Sequence, residues 1–448
     1  RDSLRHDQFD REQEALLKAR EKELFAGQPV HRSGGSNAFL VLADHINKNK
    51  SSTLASVLPL TLATDASGMP IRQFLAKKYH IDTIVTSHDP TRIYFSENTN
   101  IGEMLLICRR HGSTPPRINE KLTNSEFSSG DSLPSPNFPT KIVNLYENPS
   151  TPAESLLVAR HIAEGNTESI RGSLQFWPRE RIEKGDWGGV QFLSPFLCQA
   201  FNRLCSGKYF AIRPLNQVAI VGPSGKDTTT KLYRRTDMPD ELGRTALWFH
   251  KTDITQKMLA QTDTYIKPMR NKERQAVKLW ESRGRLMIAI RIFLPTIRCL
   301  SVRLNEKTIG ASWALCRPTV ASPDKINEET LEKFLCAYFN SSIGILAMLG
   351  DRTNKKPTYP RLSVSNLRRI PVPDFAALGE ARVGRLAAAY DALCEFTLLP
   401  LPQILRDETR LALDRIVTDA LGIDAEVTAS VRRELSREPS ITGKRYAV

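Results

Sequence analysis

The sequence lacks long apolar stretches. No run approaches the roughly 18 consecutive apolar residues that a membrane-spanning helix needs, although 40% of its 448 residues are hydrophobic. The first residues also lack the basic segment and short apolar segment of a secretory signal peptide. We therefore expect no membrane partner, and a buried core that a chain of this length divides into two or three domains.

Cysteine is scarce and scattered. The chain has seven cysteines, an odd number, and no two of them have the spacing of a CxxC pair. Disulfide-stabilised secreted domains and zinc sites use paired or clustered cysteines. We therefore expect reduced thiols, a cytoplasmic location and no bound metal. His80 and His88, with Asp82 and Asp89 nearby, also lack a ligand spacing, so solvated or capping roles are expected of them.

Positive charge, by contrast, is in excess. The chain carries 63 lysine and arginine residues against 49 acidic residues, a formal net charge of +14. Basic residues are concentrated at 267–274, 352–361 and 368–369, where aromatic and small polar residues are interleaved. A surface that follows nucleic-acid phosphates needs this combination. A solvated surface rich in lysine and arginine is the alternative explanation.

The first third of the chain has the pattern of an α/β unit, in which helices cover apolar strands. A linker or long loop rich in Ser, Pro and Gly interrupts it at residues 111–141. The predicted helices lie at 7–25, 38–47, 71–79 and 153–164, and the predicted strands at 53–59, 81–85, 101–108 and 141–145.

Two motifs in this block are informative: Ser36-Asn37-Ala38-Phe39-Leu40 and Tyr94-Phe95-Ser96-Glu97-Asn98-Thr99. Their order around the predicted strands resembles the second half of the catalytic domain of an N6-adenine DNA methyltransferase. In that family, an Asn/Asp/Ser-Pro-Pro-Tyr/Phe tetrapeptide binds the adenine amino group, and a glycine-rich turn binds S-adenosyl-L-methionine. Neither is found here, and Thr114-Pro115-Pro116-Arg117 matches only the two prolines. The resemblance implies that the catalytic residues lie upstream of Arg1, and that this chain alone is inactive.

The resemblance assigns roles to two aromatic residues. Phe39 matches a ring that packs against the adenine of the cofactor S-adenosyl-L-methionine. Phe95 matches a ring that stacks on the target base after it leaves the duplex, a contact that contributes about 1–3 kcal/mol. A core position on an amphipathic helix is the alternative for Phe39, and a buried loop anchor is the alternative for Phe95.

A second group of motifs lies between residues 331 and 375. It comprises Leu335-Cys336-Ala337-Tyr338-Phe339-Asn340-Ser341-Ser342-Ile343-Gly344, a segment from Pro357 to Ser363, and Leu367-Arg368-Arg369-Ile370-Pro371-Val372-Pro373. The group is similar to target recognition domains of restriction–modification methyltransferases and to specificity subunits of type I restriction systems. We expect an exposed loop at 351–361 that contacts base edges and phosphates. Its predicted DNA contacts are Arg352, Asn354, Lys355, Lys356, Tyr359 and Arg361.

These patterns predict an α/β fold in three parts. Residues 1–165 form the C-terminal half of a Rossmann-like methyltransferase domain. Residues 170–376 form an α+β target recognition domain that binds DNA, and residues 377–448 form a C-terminal helical segment.

The sequence thus predicts part of a site-specific DNA adenine-N6 methyltransferase. The complete enzyme would transfer a methyl group from S-adenosyl-L-methionine to N6 of a flipped adenine in duplex DNA. This chain would supply DNA recognition and the wall of the base pocket. Its expected partners are double-stranded DNA and either the missing N-terminal half or a restriction subunit. Two alternatives stay open: a non-catalytic DNA-binding specificity module, and part of a methylase–nuclease fusion.

Overall fold

In the computed structural model, the chain folds into two compact units. The first comprises Arg1–Pro195 and Thr353–Pro357, and the second comprises Phe196–Arg352 and Thr358–Val448. The structure describes residues 11–24, 40, 43–44, 52–65, 68–89, 91–96, 102–111, 139–166, 171–224, 228–249, 255–319, 326–350, 352–356 and 358–446.

The first unit contains a mixed five-stranded sheet. Its elements are α1 (Arg11–Leu24), β1 (Thr53–Pro59), α2 (Thr61–Thr64), α3 (Met69–Lys78), β2 (Tyr79–Ser87), β3 (Glu103–Arg110), β4 (Thr140–Leu145), α4 (Pro152–Glu164), β5 (Gly172–Trp177) and α5 (Arg179–Glu183). The strands lie in the order β1-β3-β2-β4-β5. Only the β2–β4 pair is parallel among them.

Apolar side chains on the strands bind the helices to this sheet. α3 packs against β2 and buries Ile71, Phe74 and Leu75. α4 buries none of its residues fully, and Val158 and Ile162 pack against a cluster of apolar side chains from β2, β4 and β5. The unit is therefore an α/β layer structure, as the sequence predicts.

The second unit contains an eight-stranded sheet and a set of helices. The strands among its described residues are β6 (Ile212–Pro214), β7 (Ala219–Ser224), β8 (Tyr233–Thr236), β9 (Thr245–Leu247), β10 (Leu259–Ala260), β11 (Thr264–Pro268), β12 (Gly284–Ala289), β13 (Ser301–Gly310), β14 (Trp313–Pro318), β16 (Tyr359–Arg361) and β17 (Pro371–Pro373), while β15 (Thr353–Lys356) belongs to the first unit. The large sheet has the order β7-β14-β12-β13-β9-β11-β8, with β10 beside β13.

The helices of the second unit supply most of its core. They are α6 (Pro195–Cys205), α7 (Leu215–Val218), α8 (Thr229–Leu232), α9 (Glu273–Glu281), α10 (Glu328–Asn340), α11 (Ser342–Gly350), α12 (Val364–Leu367), α13 (Phe375–Leu378), α14 (Glu380–Leu393), α15 (Glu408–Leu421), α16 (Ala425–Leu435) and α17 (Pro439–Thr442), with a 3₁₀ helix at Leu401–Arg406. α10 packs against both β13 and α14.

The two compact units differ from the predicted domains at two places. The sequence starts the recognition domain at residue 170, but β5 pairs with β4 along its whole length, so this segment belongs to the first unit. The predicted separate segment at 377–448 is part of the second unit, because α14 packs against α10. Most of the predicted linker, residues 112–138, lies outside the described residues.

The Asn-Ser-Ser-Ile-Gly motif forms a sharp bend between α10 and α11. The Asn340 amide accepts a hydrogen bond from the Leu300 N–H at 2.9 Å and donates to the carbonyl oxygens of Ser301 at 2.7 Å and Cys336 at 2.9 Å. A Cβ atom at Gly344 would lie 1.9 Å from a backbone carbonyl oxygen, so only glycine fits there. This motif therefore builds the core of the second unit.

We expect Asn340→Ala to lower the free energy of unfolding by about 2–4 kcal/mol, because buried backbone groups lose their partner. Urea denaturation followed by circular dichroism measures the change. Asn305→Ala, at an exposed position on β13, is the matched control and should have little effect. Equal stability of the two variants would contradict the structural role of Asn340.

In the described ranges, no single helix has both the length and the apolar composition to cross a membrane. α10 and α11 reach that composition only when joined, and they are bent by 79°. Every residue of α11 is buried within the second unit.

All seven cysteines lie in the described part of the chain, and none is disulfide-bonded. Six are buried, and Cys205 is half-buried. Burial raises the pKa of the Cys299 thiol to about 12, so this side chain stays protonated at neutral pH. These cysteines act as small core residues.

Candidate nucleic-acid interface

The second unit carries a basic surface on two paired strands. β8 and β11 are antiparallel, with Arg234 opposite Lys267 and Thr236 opposite Tyr265. Directly opposed residues share one face of a ladder, so these four side chains lie together. Arg234 and Tyr265 are exposed, while Thr236 and Lys267 are half-buried. We call these four residues the basic ladder.

The opposite face of the same strands carries two core residues and the exposed Arg235, whose guanidinium lies 4.8 Å from the centre of the Phe249 ring. Tyr233 and Ile266 are buried there, and the Tyr233 hydroxyl donates a hydrogen bond to the Ala276 carbonyl oxygen of α9 at 2.6 Å. Alternation along each strand therefore directs the basic ladder to solvent. The core contacts hold its backbone in place.

The charges on the basic ladder are not balanced locally. Arg234 and Lys267 are like charges in directly opposed positions, an arrangement that destabilises a sheet. Neither forms an ion pair with any residue that the structure describes. Asp240, which follows β8 in the chain, pairs its carboxylate with Arg244 at 2.7 Å. An anionic ligand would remove the repulsion between the two cations.

A tight turn continues this surface beyond β11. In the turn at residues 269–272, the Lys272 N–H donates to the Met269 carbonyl oxygen at 3.0 Å. Arg270, Asn271 and Lys272 are exposed. On α9, which follows, Arg274 is exposed as well. The basic segment predicted at 267–274 is therefore largely on the surface.

Arg352 does not lie on an exposed loop. Its side chain and that of Glu438 are both 0% exposed, and Nη2 of Arg352 is 3.0 Å from Oε1 of Glu438. Nη1 also donates to the Leu349 carbonyl oxygen at 2.8 Å. Burial lowers the pKa of Arg352, and the Glu438 carboxylate opposes that shift. The prediction that Arg352 contacts DNA is wrong, because its charge neutralises a buried carboxylate.

Within the predicted 351–361 loop, residues 353–356 lie on the short strand β15 and residues 359–361 on the short strand β16. Tyr359 is 51% exposed, and its ring stacks on Phe293 with centroids 4.4 Å apart. Its contact with DNA stays a prediction. The side chains of four predicted DNA contacts lie outside the described part of the structure: Asn354, Lys355, Lys356 and Arg361.

Phe95 lies in the segment that follows β2 in the first unit. It is half-buried and packs against the apolar cluster that includes Val85 and Val143. The backbone N–H groups of Phe95 and Ser96 both donate to Oε2 of Glu103 at 2.8 Å. These bonds hold the backbone of Phe95 and Ser96 in place, and the ring of Phe95 is partly exposed. Its base-stacking role stays a prediction, and Phe39 lies outside the described residues.

The two histidines considered above have structural positions. His88 is buried, with Nε2 3.0 Å from Oδ1 of Asn144. His80 lies 3.4 Å from Asp82, and burial lowers its pKa although the Asp82 carboxylate opposes the shift. Of the solvated or capping roles expected of them, a solvated role is wrong for the buried His88, whereas His80 is half-buried. Over the described ranges, no cluster of three or more His, Cys, Asp or Glu side chains could hold a metal ion.

Comparison with known proteins gives no family assignment. Neither protein-family models nor curated proteins match the chain. The type IIG restriction endonuclease BpuSI is 11% identical with a TM-score of 0.40, covering 96% of this chain and 52% of BpuSI. The HsdS subunit from Thermoanaerobacter tengcongensis is 13% identical with a TM-score of 0.25, covering 55% of this chain and 51% of HsdS.

A third solved structure comes from work on the assembly and conformational transition of the type I R-M system. It is 14% identical with a TM-score of 0.23, covering 52% of this chain and 46% of that one. The chain thus spans about half the length of each of the three structures. At these TM-scores, no assignment of fold or function follows from the similarity.

Proposed function

We propose that this chain binds duplex DNA and is the recognition portion of an adenine-N6 DNA methyltransferase of a restriction–modification system. The observation that carries DNA binding is the pair Arg234 and Lys267. These two cations share one face of the ladder, and neither has a counter-ion among the described residues. Backbone phosphates would provide the missing negative charge.

The side chains of the basic ladder suit a phosphate backbone. Arginine, lysine, threonine and tyrosine are all types that contact phosphate oxygens in protein–DNA interfaces. The competing explanation is that charges on β8, the last strand in the sheet order, prevent edge-to-edge aggregation. A measurement can separate the two explanations, because only phosphate binding by the basic ladder requires a salt-dependent affinity for DNA.

The test of DNA binding uses the full chain and a fluorescently labelled duplex. Anisotropy titrations at several salt concentrations should give affinities that fall as salt rises, with a logarithmic slope of about −0.9 for each phosphate contacted. A chain that binds no duplex at low salt would refute the proposal.

The methyltransferase part of the proposal rests on the first unit. β1 pairs with β3 and has no second strand partner in the described chain. Val57 on β1 is 42% exposed. An unpaired edge with exposed apolar side chains accepts a further strand. The proposed cofactor-binding half would pack along this edge.

In the complete enzyme, this chain's task would be to hold the flipped adenine. Phe95 would stack on the base and exclude water from one side of it, so that N6 stays in line with the reacting methyl group. S-adenosyl-L-methionine supplies that methyl group when bound. Of this chain's residues only Phe39 is assigned to the cofactor, and it lies outside the described residues.

We expect Phe95→Ala to reduce methyl transfer by about 5- to 150-fold, the equivalent of one base–aromatic stack. The measurement is transfer of labelled methyl groups to duplex DNA by this chain combined with a cofactor-binding half. Phe176→Ala is the matched control, because Phe176 packs against the same apolar cluster. Equal losses in both variants would show that Phe95 is only an anchor. If the combined protein transfers no methyl groups, the methyltransferase part of the proposal fails and only the DNA-binding part remains.

A further inference from the structure

The turn after β11 keeps a polar side chain where glycine would fit more easily. Asn271 has φ 63°, and it is the one non-glycine residue with positive φ in the described ranges. Glycine adopts this conformation without steric cost, and asparagine tolerates it. The sequence therefore retains an amide side chain at a position whose backbone does not need one.

The turn presents its side chains from a fixed backbone. On one side, the Met269 N–H donates to the Leu232 carbonyl oxygen at 2.8 Å and extends the ladder. On the other, the Asn271 N–H donates to Oε1 of Glu273 at 3.1 Å, where α9 begins. The side chains of Arg270 and Asn271 are exposed and have no hydrogen-bond partner among the described residues. Both side chains therefore extend into solvent from a turn whose backbone is hydrogen-bonded at Met269 and at Asn271.

The two side chains at the tip have the chemistry of base readers. Arginine grips O6 and N7 of guanine with two hydrogen bonds, and asparagine grips N6 and N7 of adenine in the same way. Phosphate contacts need only charge, which Arg234 and Lys267 supply on the adjoining ladder. Base readers and phosphate contacts thus lie on neighbouring parts of one surface.

We infer that the 269–272 turn enters a groove of duplex DNA, where Arg270 and Asn271 read base edges while Arg234 and Lys267 hold the backbone. This inference rests on the proposed DNA binding. It assigns sequence specificity to two residues of the turn and general affinity to two residues of the ladder. The two pairs should therefore respond differently to substitution.

The test is selection from a random-sequence duplex library with the full chain and its variants. Asn271→Gly keeps the backbone conformation and removes only the amide, and Arg270→Lys keeps the charge and removes the two-pronged contact. Each should retain total affinity for the library within about threefold and lose a preference of about 5- to 150-fold at one base position. Arg234→Ala with Lys267→Ala should weaken binding to all sequences and keep the selected motif.

The outcomes separate this inference from the proposed function. If Asn271→Gly and Arg270→Lys select the same motif as the unsubstituted chain, the turn does not read bases. Binding to the library without any selected motif would overturn the inference and leave DNA binding intact. If the chain binds no duplex at all, both proposals fall.

Discussion

Reversing both charges of the ladder, with Arg234→Glu and Lys267→Glu, is expected to weaken duplex binding by at least about 100-fold at low salt. Two attractive contacts between the protein and DNA phosphates become repulsive. The counterions that these contacts would have displaced stay bound to the DNA. The logarithmic salt slope should fall in magnitude by about 2, since each phosphate contact contributes about 0.9. Anisotropy titrations at several salt concentrations measure both quantities.

The control for this variant has the same net charge. Arg382→Glu with Arg406→Glu changes two exposed residues elsewhere in the second unit. This pair should change affinity far less when both double variants are compared at 0.1 M salt, where most of the effect of an exposed charge is screened beyond about 10 Å. Equal losses in the two double variants would mean that total charge, and not the basic ladder, governs binding.

Arg352→Ala is expected to lower the free energy of unfolding by about 3–5 kcal/mol, because it leaves the Glu438 carboxylate buried without its partner. Replacing both residues by methionine should recover most of the loss, since the uncompensated charge is then removed as well. Urea denaturation measures stability, and anisotropy below the unfolding transition measures DNA affinity. A stable Arg352→Ala variant that has lost DNA binding would restore the role that the sequence predicts for this residue.

Local patterns are enough to predict most elements of the first unit. The helix predicted at 153–164 is confirmed as α4, and the strand predicted at 53–59 is confirmed as β1. Strong capping explains the accuracy at α4, where Thr151 accepts from the Glu154 N–H and Gly165 ends the helix with φ 71°. Such signals lie within a few residues of the element that they define, so a sequence reveals them directly.

The candidate site depends on contacts between distant parts of the chain, and these were not predictable. Arg352 looks exposed in sequence because its partner Glu438 is far away along the chain. The sequence does not reveal Arg234 as a candidate either, because only the register of β8 and β11 places it beside Lys267. A pair of basic residues inside an otherwise β-like segment, Arg234-Arg235, was the one signal available in the sequence.

The most direct measurement is photo-crosslinking from the basic ladder to DNA. A photoreactive phenylalanine analogue at Tyr265, a position 38% exposed on the ladder face, should crosslink to duplex DNA in a salt-sensitive manner. The same analogue at Arg382, an exposed position on α14, should give little product. Equal crosslinking at both positions, or crosslinking at position 382 alone, would contradict the claim that β8 and β11 carry the DNA-binding surface.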